Sequence, residues 1–303
     1  MGDLRFGGRV ALVTGSGRGL GRAYAELLGA RGARVIINDL APECVDRTGA
    51  DGLPDVLRSI REAGGEADIL YGDLRDQSSV RQLATSALDQ YGRVDILIHN
   101  AGLANGTMDE HLDVHLRGAV WLTKSIWPGM VDRRYGRILF TTSGVGLFGA
   151  SSRRDGPDTP PTDFGEAWLY GLAKMGVIGF MKHLALRGSH ANINANAIAP
   201  VAVTAAMRIA TSKMSEEVNP RIRWIREQCT PEIAAPVAAY LVHEECPLNG
   251  EILRAGGGHV GRIFIAETQG YTNPELQIED VRDNVAQILD EAGYTVPTQS
   301  GSG

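Results

Sequence analysis

The stretch RVALVTGSGRGLG, residues 9–21, decides the fold. It begins with the mostly apolar run Arg9–Thr14, which is typical of a buried β-strand, and it leads into a helix predicted from Leu20 to Ala30. A glycine-rich turn between a strand and a helix lets the backbone approach a pyrophosphate, while the helix N-terminus offers N–H donors and the positive end of its dipole. We therefore expect this turn to bind a dinucleotide, through Gly15, Gly17, Arg18, Gly19, Leu20 and Gly21.

Apolar runs and amphipathic segments alternate along the rest of the chain. The predicted strands are Arg34–Asn38, Ala67–Tyr71, Val94–Ile98, Gly136–Thr142, Asn192–Ala197 and Glu251–Ala255. The predicted helices are Pro54–Ala63, Ser78–Gln90, Asp109–Val131, Ala167–Arg187 and Pro231–His243. Near-continuous apolar strands separated by helices indicate a parallel sheet covered on both faces. We predict a three-layer α/β/α fold with a Rossmann-type, doubly wound parallel sheet. It forms one domain over residues 1–258, and a C-terminal extension over 259–303 packs on that domain or on a neighbouring subunit.

Composition and charge exclude several other classes of protein. The 303 residues carry 30 Lys and Arg against 36 Asp and Glu, a net charge of −6, and no basic run indicates a nucleic-acid or membrane-surface binder. No apolar stretch reaches the roughly 18 residues that a membrane span needs, and Met1–Arg9 holds no apolar signal segment. The three cysteines, Cys44, Cys229 and Cys246, fit neither a zinc pattern nor a disulfide framework. We expect a cytoplasmic protein without a metal site, whose partner is a small molecule rather than nucleic acid or a membrane.

Asp39 stands at the end of the second predicted strand and points to the choice of cofactor. A carboxylate at this position accepts hydrogen bonds from the adenosine ribose hydroxyls and repels a 2′-phosphate. No arginine follows it, since the next residues are Leu40, Ala41 and Pro42. These features favour NAD over NADP. The alternative is that Asp39 only caps a helix or a turn.

Ser143, Tyr170 and Lys174 suggest acid–base chemistry. Tyr170 and Lys174 are four positions apart on a predicted helix, so their side chains share one face. A nearby ammonium lowers the pKa of a phenol, which is about 10 in water, toward neutral pH. A tyrosine tuned in this way exchanges a proton with an alcohol or ketone oxygen.

The order of these motifs resembles the short-chain dehydrogenase/reductase family, over about residues 9–258. The motifs are the glycine turn, Asp39, Asn100-Ala101-Gly102, Ser143, Tyr170 and Lys174. The resemblance implies that Ser143 orients the substrate oxygen and that Tyr170 is the acid/base. It also implies that Lys174 binds the nicotinamide ribose and lowers the pKa of Tyr170.

Further cofactor contacts follow from the same resemblance. Asp73, with Leu74 after it, matches the family's adenine contact, and residues 100–102 match the segment that supports the sheet and backs the cofactor. Pro200 and Thr204 match the segment that covers the nicotinamide, although Val201 stands where the family usually has glycine.

Several stretches resemble one group of this family more closely, the (3R)-hydroxyacyl-CoA dehydrogenase units of multifunctional β-oxidation enzymes, also called type 4 17β-hydroxysteroid dehydrogenases. The stretches include residues 35–40, 114–119, 127–130, 195–200 and 243–247. The resemblance implies lipid metabolism and a 3-hydroxyacyl-CoA or similar β-hydroxy thioester as substrate. The alternatives are a hydroxysteroid or other secondary-alcohol dehydrogenase and, from another class, a catalytically weak nucleotide-binding scaffold. The helices 109–131 and 167–187 match those that pair between subunits in the family, so we expect a homodimer or homotetramer.

Three features depart from the family pattern. His115 occupies the position where the family usually has an asparagine that anchors a water for proton relay, and we hypothesise that His115 takes this role; the alternative is a structural histidine. Ser143 and Tyr170 lie 27 positions apart, farther than is usual, because of an inserted loop at 151–168. Asn100 and His115 lie only 15 positions apart, fewer than is usual, and both changes in length flank the expected substrate pocket. We hypothesise that the inserted loop fills the space left by the shorter segment and acts as a lid, with Phe164, Trp168 and Leu169 as an apolar wall.

Overall fold

The computed structural model of the chain describes residues 2–42, 52–103, 105–149, 167–203 and 220–297. The contacts divide the chain into two units, Met1–Gly261 and Arg262–Gly303. Among the described helices, none is both long and apolar enough to cross a membrane.

One sheet contains the eight strands of the described residues, in the order β3-β2-β1-β4-β5-β6-β7-β8. The strands are β1 (Val10–Thr14), β2 (Arg34–Asn38), β3 (Glu66–Ile69), β4 (Ile96–His99), β5 (Gly136–Thr141), β6 (Ile193–Pro200), β7 (Ile252–Gly256) and β8 (His259–Ile263). The neighbours from β3 through β7 pair in parallel. The chain runs outward from β1 to β3 and then returns to β4, so the strand order reverses beside β1. In such sheets, ligands bind at this reversal, outside the carboxyl ends of the strands.

The helices alternate with these strands. Those of the first unit are α1 (Gly19–Ala30), α2 (Leu53–Glu62), α3 (Gln77–Tyr91), α4 (Met108–Leu112), α5 (Gly118–Arg133), α6 (Gly144–Phe148), α7 (Ala167–Gly188), α8 (Pro220–Gln228) and α9 (Pro231–Leu241). The central strands β1, β4 and β5 are buried at every position, as a sheet covered on both faces requires. The predicted fold class is therefore confirmed.

The predicted helix Asp109–Val131 is not one regular helix. It consists of α4, a π-helical turn at Asp113–Arg117, and α5. The backbone of Gly118 packs closely against the segment that contains Leu74. A Cβ on Gly118 would be 2.6 Å from the carbonyl oxygen of Leu74. The apolar pattern of residues 109–131 does not predict this widened turn. Helices α6 and α8 and strand β8 were likewise not expected from the sequence.

The second unit is described by itself. It holds two short helices, α10 (Ile278–Asp283) and α11 (Val285–Ile288), and an antiparallel bridge between Glu267 and Thr295. None of its described residues is buried. That the C-terminal extension packs on the domain or on another subunit stays a prediction.

Candidate active site

The glycine turn is a tightly packed bend before α1. Gly15 has a φ of +64°, which favours glycine, and a Cβ there would lie 2.6 Å from the Cα of Ala101. A Cβ on Gly21 would lie 2.1 Å from the carbonyl oxygen of Gly15. The side chain of Arg18, at the N-cap, makes no capping hydrogen bond. A guanidinium has no acceptor with which to cap N–H groups, and a helix N-terminus after such a turn can bind an anion.

Asn100 ties this turn to the sheet. Its side-chain nitrogen donates to the carbonyl oxygens of Thr14 and Gly15, each at 3.1 Å, and its side-chain oxygen accepts from the hydroxyl of Thr141 at 3.5 Å. The hydroxyl of Thr14 accepts from the backbone N–H groups of Asn100 and Ala101 at 3.1 and 3.2 Å. The structure therefore brings the predicted segment 100–102 directly against the glycine turn.

Asp39 folds onto the same turn. Its Oδ2 accepts from the backbone N–H of Gly17 at 3.1 Å, and its Oδ1 accepts from that of Leu40 at 2.9 Å. A Cβ on Gly17 would lie 2.9 Å from Oδ2, so only glycine admits the carboxylate here. Each oxygen keeps acceptor capacity for a hydroxyl. A glycine-rich turn with close backbone packing and a carboxylate at its rim fits a dinucleotide.

Asp73 forms a salt bridge with Arg75. Arg75 donates from Nε to Oδ1 at 3.0 Å and from Nη2 to Oδ2 at 2.6 Å, while the backbone N–H of Asp73 donates to Ser79 Oγ at 2.8 Å. Leu74 is buried beside Gly118. The proposed contact with adenine stays a prediction.

The segment that was expected to cover the nicotinamide is described only in part. Pro200 ends β6, and the backbone N–H of Val201 donates to the carbonyl oxygen of Ala255 at 2.7 Å. A Cβ on Gly256 would lie 2.5 Å from the carbonyl oxygen of Val201. Thr204 lies outside the described residues, as does most of the inserted loop at 151–168.

The structure brings the three predicted catalytic residues together at the carboxyl end of β5. Ser143 caps α6, where its hydroxyl accepts from the backbone N–H of Val145 at 3.2 Å, and its side chain lies close enough to Tyr170 to lower the pKa of that phenol. Lys174 follows one turn later on α7, with Nζ 5.6 Å from the centre of the Tyr170 ring. Its Nζ donates to the carbonyl oxygen of Thr141 at 2.7 Å. This grouping can hold a substrate oxygen and exchange a proton with it.

Burial controls the charges of this group. Burial raises the pKa of Tyr170, and the nearby Ser143 side chain opposes that rise. Burial lowers the pKa of Lys174 to about 7. That Lys174 lowers the pKa of Tyr170 stays a prediction.

His115 lies beside Tyr170, with 5.3 Å between the ring centres. Its Nε2 accepts from the backbone N–H of Leu103 at 3.2 Å, and burial together with the positive charge of Lys174 lowers its pKa well below the usual range. The proposed water-relay role stays a prediction. The sequence pattern does not point to His111, whose ring lies 6.2 Å from that of Tyr170. Its four-residue spacing from His115 is the signal that could have identified it.

Comparisons with known proteins agree with this geometry. The model of the short chain dehydrogenase family matches residues 9–154. The chain is 36% identical over 308 residues to the peroxisomal multifunctional enzyme type 2 of Mus musculus, covering 97% of this chain and 38% of that protein. It is also 36% identical over 301 residues to a Mycobacterium tuberculosis protein named as a short-chain type dehydrogenase/reductase, covering 95% of this chain and 96% of that protein. The chain thus spans well under half of the mouse enzyme.

Solved structures extend the likeness. The full-length peroxisomal multifunctional enzyme type 2 from Drosophila melanogaster superposes with a TM-score of 0.70 at 29% identity, covering 97% of this chain and 48% of that chain. A Beutenbergia cavernae protein named as an NAD(P) dependent gluconate 5-dehydrogenase, solved with NADP at low occupancy, gives a TM-score of 0.71 at 27% identity, covering 85% of this chain and 98% of that chain. The chain belongs to the short-chain dehydrogenase/reductase family, whose members are oxidoreductases that bind a nicotinamide cofactor.

Proposed function

We propose that this chain interconverts a secondary alcohol and a ketone by hydride transfer with NAD. The observation that carries the proposal is that Ser143 and Tyr170 lie together at the carboxyl edge of the sheet, with the buried Lys174 one helical turn away. The glycine turn follows β1 at the same edge. Hydride and proton transfer involve neighbouring atoms of one substrate, so both binding sites must open on one crevice.

Tyr170 is the proton donor and acceptor in this proposal. Because burial raises its pKa, the phenol is protonated at neutral pH and can donate to a ketone oxygen. In the opposite direction the phenolate takes the hydroxyl proton, and the nearby Ser143 side chain stabilises that negative charge. A bound nicotinamide supplies the hydride acceptor or donor.

Ser143 and Lys174 support that proton transfer. The Ser143 hydroxyl sits at the N-terminus of α6, where it can hold the substrate oxygen beside Tyr170. With a pKa of about 7, Lys174 can gain or lose its proton near neutral pH. Its hydrogen bond to the carbonyl oxygen of Thr141 keeps the ammonium at the face of α7 that carries Tyr170, where it would bind the nicotinamide ribose.

NAD is the proposed cofactor because of Asp39. Its carboxylate lies at the rim of the glycine turn, bound by the N–H groups of Gly17 and Leu40. A second negative charge from a 2′-phosphate would be repelled there, whereas ribose hydroxyls can donate to it. The structural relative with bound NADP makes a direct comparison of the two cofactors the necessary test.

The proposed substrate is a 3-hydroxyacyl-CoA or a similar β-hydroxy thioester, which places the chain in lipid metabolism. The sequence likeness to multifunctional enzymes of type 2 over 97% of this chain supports it. Since this chain spans 38% of the mouse relative, any activity of the remainder of that protein has no bearing on it. A cytoplasmic location and a homodimer or homotetramer also stay proposals; the names of several relatives place those proteins in peroxisomes.

The test is an assay of the purified chain with reduced and oxidised cofactor. NADH and NADPH are each supplied with a 3-oxoacyl-CoA, a steroid ketone and a small ketone, and the nicotinamide absorbance is followed. The proposal expects the highest kcat/KM for the thioester with NADH. Fastest turnover of the steroid ketone would support the alternative substrate class. Cofactor binding without turnover of any ketone would point to the scaffold alternative. Light scattering of the same sample measures the oligomeric state.

A further inference from the structure

Two buried histidines lie together at the π-helical turn Asp113–Arg117. Within it, the backbone N–H of Gly118 donates to the carbonyl oxygen of Asp113, five residues back. Such widened turns are rare and often lie at functional sites. His115 lies in the turn and His111 just before it, and they are 4% and 2% exposed. Their imidazole rings stack, with 5.5 Å between centres and 13° between planes.

His115 binds the segment that backs the predicted cofactor site. Its Nε2 lies 3.2 Å from the backbone nitrogen of Leu103 and 3.3 Å from the carbonyl oxygen of the same residue. One tautomer accepts from the N–H group and the other donates to the carbonyl, so either neutral form holds the segment. A Cβ on Gly102 would lie 2.5 Å from Cε1 of His115. The segment therefore approaches the ring this closely only because residue 102 is glycine.

Both imidazoles also contact the ring of Tyr170. The His115 ring stands at 83° to the phenol ring with 5.3 Å between centres, and the His111 ring stands at 74° with 6.2 Å. Edge-to-face packing of this kind favours one orientation of an aromatic ring. The two rings thus restrict where the Tyr170 hydroxyl can lie.

The surroundings keep both imidazoles neutral. Burial lowers the pKa of each, and the nearby positive charge of Lys174 lowers both further, whereas Glu110 on α4 opposes the shift at His111. Nδ1 of each ring is buried and has no hydrogen-bond partner among the described residues. Burying an unpaired nitrogen destabilises a fold, so an imidazole at 115 is explained by its hydrogen bond to Leu103 rather than by packing alone.

We propose that His111 and His115 are positioning residues for Tyr170, and that His115 couples Tyr170 to the segment 100–103. The inference rests on the proposed function, because it assigns the orientation of the proposed acid/base. His111 contributes the packing of its ring, and His115 contributes both its ring and its hydrogen bond to the backbone. The π-helical turn thereby fixes the position of Tyr170 relative to the segment 100–103, which backs the predicted cofactor site.

The first experiment compares ring and hydrogen-bond variants. His115→Phe keeps a ring without the hydrogen bond, whereas His115→Gln can restore a polar contact with Leu103. We expect His115→Phe to lower kcat about 10- to 100-fold with little change in KM, since small displacements of a catalytic group have effects of this size, and His115→Gln to recover part of it. His111→Ala should lower kcat about 10-fold, and His111→Phe, which keeps a ring, should recover most of that loss. The matched control is His243→Gln, a buried histidine bound to the carbonyl oxygen of Arg5, which should leave kcat unchanged.

The second readout does not depend on turnover. With 13Cζ-labelled tyrosine, the Tyr170 resonance, assigned with Tyr170→Phe, reports the position and the pKa of the phenol. His115→Phe and His111→Ala should move this resonance, His111→Phe should move it less, and His243→Gln should not move it. If wild-type protein turns over no ketone, the proposed function fails, while a resonance that moves as described still supports the positioning. A resonance and kcat unchanged in His115→Phe and His111→Ala overturn it, as does a loss in His111→Phe equal to that in His111→Ala.

A double-mutant cycle tests the coupling between Gly102 and His115. Gly102→Ala places a Cβ against the imidazole, so it should lower kcat and raise the Kd for NADH. In the His115→Ala background the added methyl has room, and the same change should have a much smaller effect. Equal effects of Gly102→Ala in both backgrounds overturn the coupling. If His115→Phe does not fold, Gly102→Ala tests the proposal by itself, because its Cβ displaces the imidazole while His115 is retained. An unchanged kcat in Gly102→Ala then refutes the proposal.

Discussion

The two ends of the parallel sheet bury charge in different ways. At the amino end, the fully buried carboxylate of Asp95 forms a salt bridge with Arg93, with 2.7 Å between Nη2 and Oδ1. Nε of Arg133 lies 3.8 Å from the same oxygen. At the carboxyl end, the ammonium of Lys174 is 5% exposed and donates to a single carbonyl oxygen, that of Thr141. Within the described part of the chain, Lys174 has no salt bridge. Both charged groups are buried, but arginines neutralise the charge of Asp95, whereas a carbonyl dipole faces that of Lys174.

The difference separates structural charge from chemical charge. A buried ion that is paired and hydrogen-bonded stays charged, and removing its partner is strongly destabilising. A buried ion without a counter-charge changes its pKa instead, which is why perturbed pKa values concentrate at functional sites. Lys174, with a pKa of about 7, is of the second kind. Substitutions at the amino end should therefore change stability, and those at the carboxyl end should change turnover, binding or pH dependence.

The largest effect is expected at Tyr170. Tyr170→Phe removes the group that exchanges the proton, and we expect kcat to fall by roughly 10²- to 10⁴-fold, the usual contribution of general acid–base catalysis. The ring packing against His111 and His115 survives in this variant. The Kd for NADH and the melting temperature should therefore stay near those of the wild type. Steady-state kinetics and a cofactor titration measure both quantities, and turnover at the wild-type rate would refute the assignment of Tyr170.

The sequence predicts the parallel sheet and the residues proposed for the chemistry, but it does not predict the contacts that position those residues. The strand Arg34–Asn38 is predicted to the residue, since buried apolar runs flanked by turns have few other solutions. Ser143, Tyr170 and Lys174 do meet in space. The π turn that follows His111, and the close backbone approach at Gly118 beside it, are tertiary features that no local sequence pattern records.

The amino end offers the converse test. Asp95→Asn removes the buried negative charge and leaves Arg93 and Arg133 without it. We expect the free energy of unfolding to fall by about 3 kcal/mol, the lower end for a broken buried pair, because both arginines are partly exposed. Urea unfolding measures the loss. The kcat of the folded fraction should be unchanged, and a kcat that falls without any loss of stability would erase the distinction between the two ends.

Lys174 should make stability depend on pH. Its folded pKa of about 7 lies below the 10.5 of a freely solvated lysine, so between these pH values the unfolded chain binds a proton that the folded chain releases. The free energy of unfolding should therefore rise with pH across this window, by up to about 1.4 kcal/mol per pH unit, and this contribution is lost as the pH falls through 7. Lys174→Met should remove that part of the slope. Unfolding of both proteins from about pH 7.5 to 9.5 tests it, below the range in which Tyr170 titrates, and identical slopes would contradict the uncompensated burial of Lys174.

Asp39 is the smallest test and the one that sharpens the comparison most. It is a carboxylate at the carboxyl end that is held by two backbone N–H groups, those of Gly17 and Leu40. Asp39→Asn removes the charge while the amide oxygen can still accept from one of them. We expect the ratio of kcat/KM for NADH over NADPH to fall roughly tenfold, equivalent to about 1.4 kcal/mol, because the repulsion of a 2′-phosphate is relieved. Stability should hardly change, in contrast to Asp95→Asn. If the cofactor ratio stays constant while stability falls, Asp39 is a turn-capping residue, and the carboxyl end would then contain structural charge as well.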